Sequence, residues 1–190
     1  MSEPTNSADD SRFADLDPTR LGAWLKDHVA GFGTLRAVTK FPGGQSNPTY
    51  KVEDENAAYV LRRKPFGKLL PSAHAVDREY RLIEALHPTD VPVAKPYALC
   101  EDADVIGSDF YIMQMVEGRT FWNGALPESD PEERRALYRN MIDSLARLHA
   151  VDPEQVGLGE YGKPGNYFAR QVGRWTKQYR MAQTDDIPEV

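Results

Sequence analysis

An α+β fold, a small antiparallel sheet accompanied by helices, is what this 190-residue sequence predicts. Short runs rich in β-branched and aromatic residues, within Phe41 to Arg63, at Pro96 to Leu99 and at Phe110 to Val116, have the composition of strands. Segments with apolar residues at helical spacing begin near Asp17, Ala75, Asp130 and Tyr167. The order of these pieces is the third observation: strand, glycine turn, strand, strand with a cation, helix with an acid, strand, strand, linker.

Taken from the N-terminus, residues 1–16 are polar and acidic and are expected to form a disordered tail. Asp17-Pro18 supplies a capping residue followed by proline at the first helical position, and Leu21, Trp24, Leu25 and Val29 form one stripe that Gly31 ends. That helix is expected to pack on the sheet. Phe41 to Arg63 reads as two or three short strands around a glycine turn. Gly43 and Gly44 let the turn take positive φ and come close to a ligand, while Gln45, Ser46 and Asn47 complete its tip. Strand alternation places Val60 and Arg62 on one face and Leu61 and Arg63 on the other, so one arginine would face a phosphate and its neighbour water. In the next helix Val76, Tyr80, Ile83 and Leu86 make the apolar stripe, with Glu79 off it and able to turn toward Arg62.

Beyond the strand at Phe110 to Val116, Glu117 to Glu128 carries Gly118, Gly124 and Pro127 and reads as hinge and loop. Asp130 then caps a helix in which Glu133 is placed to close a capping box. Its stripe of Leu137, Tyr138, Met141, Leu145 and Leu148 ends at His149 and predicts a core helix of a second lobe. A last helix, about Tyr167 to Met181, carries Phe168, Val172, Trp175 and Tyr179. The predicted organisation is a tail (1–16), a nucleotide lobe (17–116), a hinge (117–128) and the start of a helical second lobe (129–190).

A turn that presents backbone N–H groups, with a cation on the following strand, can hold a nucleotide triphosphate. Ser46 and Asn47 would add N–H and side-chain donors for phosphate oxygens. Gly-Gly beside a proline is also ordinary hairpin chemistry, and the order of the elements that follow gives it meaning: it is that of a kinase-type nucleotide lobe.

The segments GGQSNPTY, YVLRRKPFGKLLPSAHAVDREY, VIGSDFYIMQMVEGR, LARLH and RQVGRWTKQYR, in register from about Phe41 to about Ile187, resemble the aminoglycoside phosphotransferase and choline kinase family. The likeness is strongest to the branch of kinase-like domains associated with acyl-CoA dehydrogenases. This resemblance implies a protein-kinase-like fold and ATP as phosphoryl donor to a small hydroxyl-bearing substrate. It places Arg62 on the α and β phosphates and Glu79 as the helix acid that holds the cation. Backbone atoms of Gln114 and Val116 would meet the adenine edge, and Met113 would stand at the back of the pocket. In the family a later His-Gly-Asp, then Asn, and an Asp-centred stretch supply the base and the Mg²⁺ ligands. Asp143, Asp152, Asp185 and Asp186 fit no such pattern, so the resemblance implies a catalytic loop and magnesium ligands downstream of Val190 and an inactive chain as it stands.

Plainer readings compete. Arg62 and Glu79 would be an ordinary surface ion pair, worth about 0–1 kcal/mol, and Met113 and Met115 fit any buried strand. His74 sits in a loop without a partner nearby in sequence, and His149 suits a helix C-terminus, so both are expected to be structural. The single Cys100 permits no intramolecular disulfide, and no metal-binding motif is present. With 23 basic and 29 acidic residues, a net charge of −6, no dense basic face for nucleic acid is expected. No apolar run approaches transmembrane length, and the N-terminus lacks a signal-peptide core, so a cytoplasmic location without membrane attachment is expected. The function expected is an ATP-dependent small-molecule kinase, the alternative a pseudokinase or nucleotide-binding module without turnover. By analogy with the acyl-CoA dehydrogenase branch, a hydroxyacyl-CoA or related hydroxy acid is the first acceptor to consider. An aminoglycoside comes after it, and choline would require an aromatic or acidic cage that the sequence does not reveal.

Overall fold

The computed structural model describes residues 15–42, 47–67, 74–162 and 165–182. Gly43, Gly44, Gln45 and Ser46 of the predicted turn lie outside the described residues, as do 1–14 of the predicted tail. The elements are α1 (Pro18–His28), β1 (Ala37–Lys40), β2 (Thr49–Glu53), β3 (Ala58–Arg63), α2 (Val76–Leu86), β4 (Pro96–Cys100), α3 (Ala103–Ile106), β5 (Phe110–Gln114), α4 (Pro131–Ala150) and α5 (Tyr167–Ala182). The first strand ends at Lys40, upstream of the run that the sequence marked, and α3 had no sequence signal. The chain forms two compact units, one ending at Asp152 and the other beginning at Pro153. Arg134 Nη2 donates to the Leu126 and Ser129 carbonyls, and Arg147 Nη1 reaches the Asp90 carbonyl, tying α4 into the first unit.

Five antiparallel strands in the order β1-β2-β3-β5-β4 make the sheet. Its register sorts the side chains. Tyr50 pairs with Leu61 and Leu61 with Ile112, so these three lie across one face, while Thr49, Arg62 and Tyr111 lie across the other. α1 covers the first face: Leu21 and Leu25 are fully buried in one cluster with Tyr50, Leu61, Phe110 and Ile112. Each such side chain contributes about 1.5–3 kcal/mol through burial. Asp17 caps α1 as the sequence predicts, its Oδ1 accepting from the Thr19 and Arg20 amides at 2.9 and 3.2 Å. On the opposite face α2 sets Tyr80 against Tyr111, ring centroids 5.9 Å apart.

The β2–β3 hairpin turns on Asp54, whose Oδ1 accepts from the Asn56 and Ala57 amides and whose Oδ2 accepts from the Gly33 amide at 2.9 Å. Burial by itself would raise its pKa, but these backbone donors outweigh it and hold the carboxyl below its ordinary value. A depressed folded pKa gives stabilisation that is present above the unfolded value of about 4 and lost as pH falls through the folded one. Asp54→Asn is therefore expected to cost about 1–2 kcal/mol at neutral pH, because one oxygen toward these amides is replaced by a donor. Urea unfolding across a pH series checks it: the gap between the two proteins should narrow below about pH 4.

Two expectations are corrected. Arg63 does not face water. It is 2% exposed, donates to the Tyr50 hydroxyl at 3.0 and 3.2 Å and to Asp15 Oδ2 at 3.2 Å, and stacks on Phe66 with its guanidinium 3.6 Å from the ring centroid. Gly107, at φ +83°, leaves room for that ring, since a Cβ there would stand 3.0 Å from it. Asp15 and Leu16, assigned from sequence to the tail, thus belong to the fold, with Leu16 in the core. The other correction concerns α4. Asp130 caps it through the Glu132 and Glu133 amides, but the Glu133 carboxylate pairs with Arg119 instead of closing the capping box. No α4 residue is buried, and Tyr138, Met141, Leu145 and Leu148 are exposed along the predicted core stripe. α5, in the second unit, likewise exposes Phe168, Val172, Trp175 and Tyr179.

Candidate nucleotide site

The face of the sheet opposite α1 carries the predicted site. β3 aims Arg62 across this face because its neighbours Leu61 and Arg63 are committed to the core side. Helix α2 aims Glu79 back at it because Val76 and Leu86 fix the helix's buried stripe. Arg62 Nε donates to Glu79 Oε2 at 2.6 Å, Nη2 to Oε1 at 3.5 Å, and Nη1 to the Thr49 hydroxyl at 3.2 Å. The pair that the sequence proposed is formed. With side-chain exposures of 30% and 35%, it is neither a free surface pair nor a sealed one.

Glu79 is the hub of a larger network. Asn47 Nδ2 donates to Glu79 Oε1 at 2.8 Å, and the Tyr111 hydroxyl donates to Oε2 at 3.2 Å. Burial, reinforced by the Glu79 charge beside it, pushes the Tyr111 phenol well above its ordinary value, so it remains a donor. Asn47, expected to offer its side chain to phosphate, is 4% exposed and spends that side chain on Glu79 and on His74, whose Nδ1 lies 2.9 Å from Asn47 Oδ1. His74, which has no partner nearby in sequence, finds one 27 residues away. Sequence spacing gave no sign of that contact, since both residues sit in loops.

Next along the chain, Lys64 returns to the α2 side, 2.5 Å from Asp109 Oδ2 and 3.8 Å from Asp77 Oδ1. The hydrogen bond that Lys64 donates to Asp109 raises its pKa. At the far end of the face Met113 is half-buried and pairs with Val60, Gln114 is exposed in pairing with Tyr59, and Val116 follows the strand, exposed. The Gln114 amide donates to the Lys95 carbonyl at 2.8 Å. The structure thus joins Asn47, Arg62, Glu79 and Tyr111 in one network and sets Met113, Gln114 and Val116 at and just beyond the C-terminal end of β5. Among the described residues no cluster of His, Cys, Asp or Glu is arranged to hold a metal ion.

The sheet order, with an arginine on the third strand paired to a helix carboxylate, defines a kinase-like fold. The chain belongs to the phosphotransferase enzyme family, which matches residues 37–190. A crystal structure from Ralstonia eutropha assigned as an aminoglycoside phosphotransferase superposes with a TM-score of 0.75 at 51% identity, over 91% of this chain and 50% of that one. Acyl-CoA dehydrogenase family member 11 of Rattus norvegicus is 43% identical over 92% of this chain, and the probable acyl-CoA dehydrogenase IBR3 of Arabidopsis thaliana 46% identical over 92%. The chain spans 23% and 22% of the length of these curated relatives.

Proposed function

We propose that this chain is the ATP-binding lobe of a small-molecule kinase that phosphorylates a hydroxyl group. The observation that carries the reading is the half-exposed Arg62–Glu79 pair at 2.6 Å between β3 and α2, buttressed by Asn47 and Tyr111. In this reading Arg62 meets the α and β phosphates, and the backbone of Gln114 and Val116 meets the adenine edge beside Met113. A guanidinium held by a carboxylate presents its remaining N–H groups in a fixed direction, so little orientational freedom is lost when phosphate arrives. ATP when bound supplies the transferable phosphoryl group. Among the described residues no cluster of carboxylates is arranged to hold the Mg²⁺ that accompanies ATP. The names of the relatives support a hydroxyacyl-CoA or related hydroxy acid as acceptor, and a functional link to acyl-CoA dehydrogenation.

Calorimetric titration of the 190-residue chain with ATP should show weak, saturable binding. The chain should not transfer phosphate to a hydroxy acid, since the His-Gly-Asp pattern that supplies the base in such kinases does not occur in its sequence. Absence of saturable ATP binding would remove the nucleotide reading. Phosphate transfer by this chain would show that the base lies within it.

A further inference from the structure

We propose that His74 is a positioning residue of the Arg62 site, acting through Asn47 as an Nδ1–H donor; the nucleotide part of this proposal rests on the function proposed above. Four observations converge on it. Asn47 Nδ2 lies 2.8 Å from Glu79 Oε1, and only the amide nitrogen can donate to that carboxylate. The amide orientation is thereby fixed, and Asn47 Oδ1, an acceptor, must be what faces His74 Nδ1 at 2.9 Å. The proton of that bond consequently sits on Nδ1. Asn47 is 4% exposed, so its carbonyl oxygen depends on a protein donor, and His74 is the one in place. Finally, His74 has φ +60°, a left-handed backbone uncommon for a residue with a Cβ. Its carbonyl accepts from the Val76 amide at 2.9 Å, where α2 begins.

The relay therefore runs from His74 at the entry of α2, through Asn47 at the start of the segment leading into β2, to Glu79 and on to Arg62 in β3. It ties the segment leading into β2 to the helix carboxylate that aims the cation. Without the His74 proton, Asn47 is held by Glu79 alone, and its amide braces the carboxylate against Arg62 less firmly.

The side-chain geometry supplies a selective test. The Nδ2 of asparagine occupies nearly the place of histidine Nδ1, and asparagine also tolerates positive φ. Glutamine extends its amide to the place of Nε2 instead. His74→Leu and His74→Gln should each weaken ATP binding by about 3- to 10-fold, the loss of one modest hydrogen bond, and His74→Asn should recover most of it. Histidine ¹⁵N NMR of the wild-type chain, at a pH where the ring is neutral, should show Nδ1 protonated and Nε2 bare. Equal affinities in all three variants, no recovery by asparagine, or an Nε2–H tautomer would each overturn the proposal. Arg62→Ala serves as the control: if it too leaves ATP binding unchanged, the proposed placement of Arg62 on the phosphates fails by itself. The relay is then decided by the tautomer and by the coupling between Asn47→Ala and His74→Leu in urea unfolding, which additive effects would refute.

Discussion

Arg62→Ala is expected to weaken ATP binding about 10- to 100-fold, the equivalent of about 1.5–3 kcal/mol for a hydrogen bond to a charged group. The guanidinium is held at 2.6 Å by Glu79 and braced by Thr49, so its direction is set by the protein and not by the ligand. Folding should suffer much less, because both members of the pair remain partly solvated, at 30% and 35% side-chain exposure. Arg62→Lys is not a conservative control, since an ammonium cannot reproduce the fork that spans Glu79 and Thr49. Calorimetry with ATP, paired with urea unfolding of the same variants, separates affinity from stability. An unchanged affinity in Arg62→Ala removes this residue from the site.

The adjacent position behaves oppositely. Arg63→Ala is expected to destabilise the chain by about 3–5 kcal/mol while leaving the Arg62–Glu79 contact in place. The arginine is buried between Phe66 and Tyr50, and its truncation empties that space and strips the Tyr50 hydroxyl of its donors. It also unties Asp15, which accepts from Tyr50 at 2.8 Å as well as from Arg63, so the segment before α1 would loosen. Urea unfolding checks the magnitude, and a loss below about 1 kcal/mol would class the arginine with surface pairs. Asp15→Ala should cost less, because that carboxylate is half exposed.

The contrast between these neighbours marks how far the sequence is legible. Alternation along β3 puts Arg62 and Arg63 on opposite faces whatever the rest of the chain does, and the Val76 to Leu86 stripe leaves Glu79 turned toward the sheet. Arg62 and Glu79 are 17 residues apart, but each direction is set by its own element. The same holds for the Asp17 cap of α1 and the Asp130 cap of α4, where the cap and its amides are two or three residues apart. What lies above each face is a different kind of question. Nothing near Arg63 in the sequence points to Asp15, 48 residues earlier, and nothing near His74 points to Asn47. The stripe of α4 gives the direction of an apolar face without giving a partner for it, which is how a predicted core helix comes to expose Tyr138, Met141, Leu145 and Leu148.

Local covalent geometry and side-chain periodicity thus determined the α+β class, the strand that carries the cation, the helix that carries the acid, and the order in which they occur. Only the tertiary structure decided which arginine is solvated and which is buried. It likewise decided that Asn47 serves Glu79 with its side chain, and that a histidine in a loop completes the network. Those outcomes depend on which distant segments cover each face. The free energy of a buried polar group is set by partners brought in through chain topology, and no local pattern encodes them.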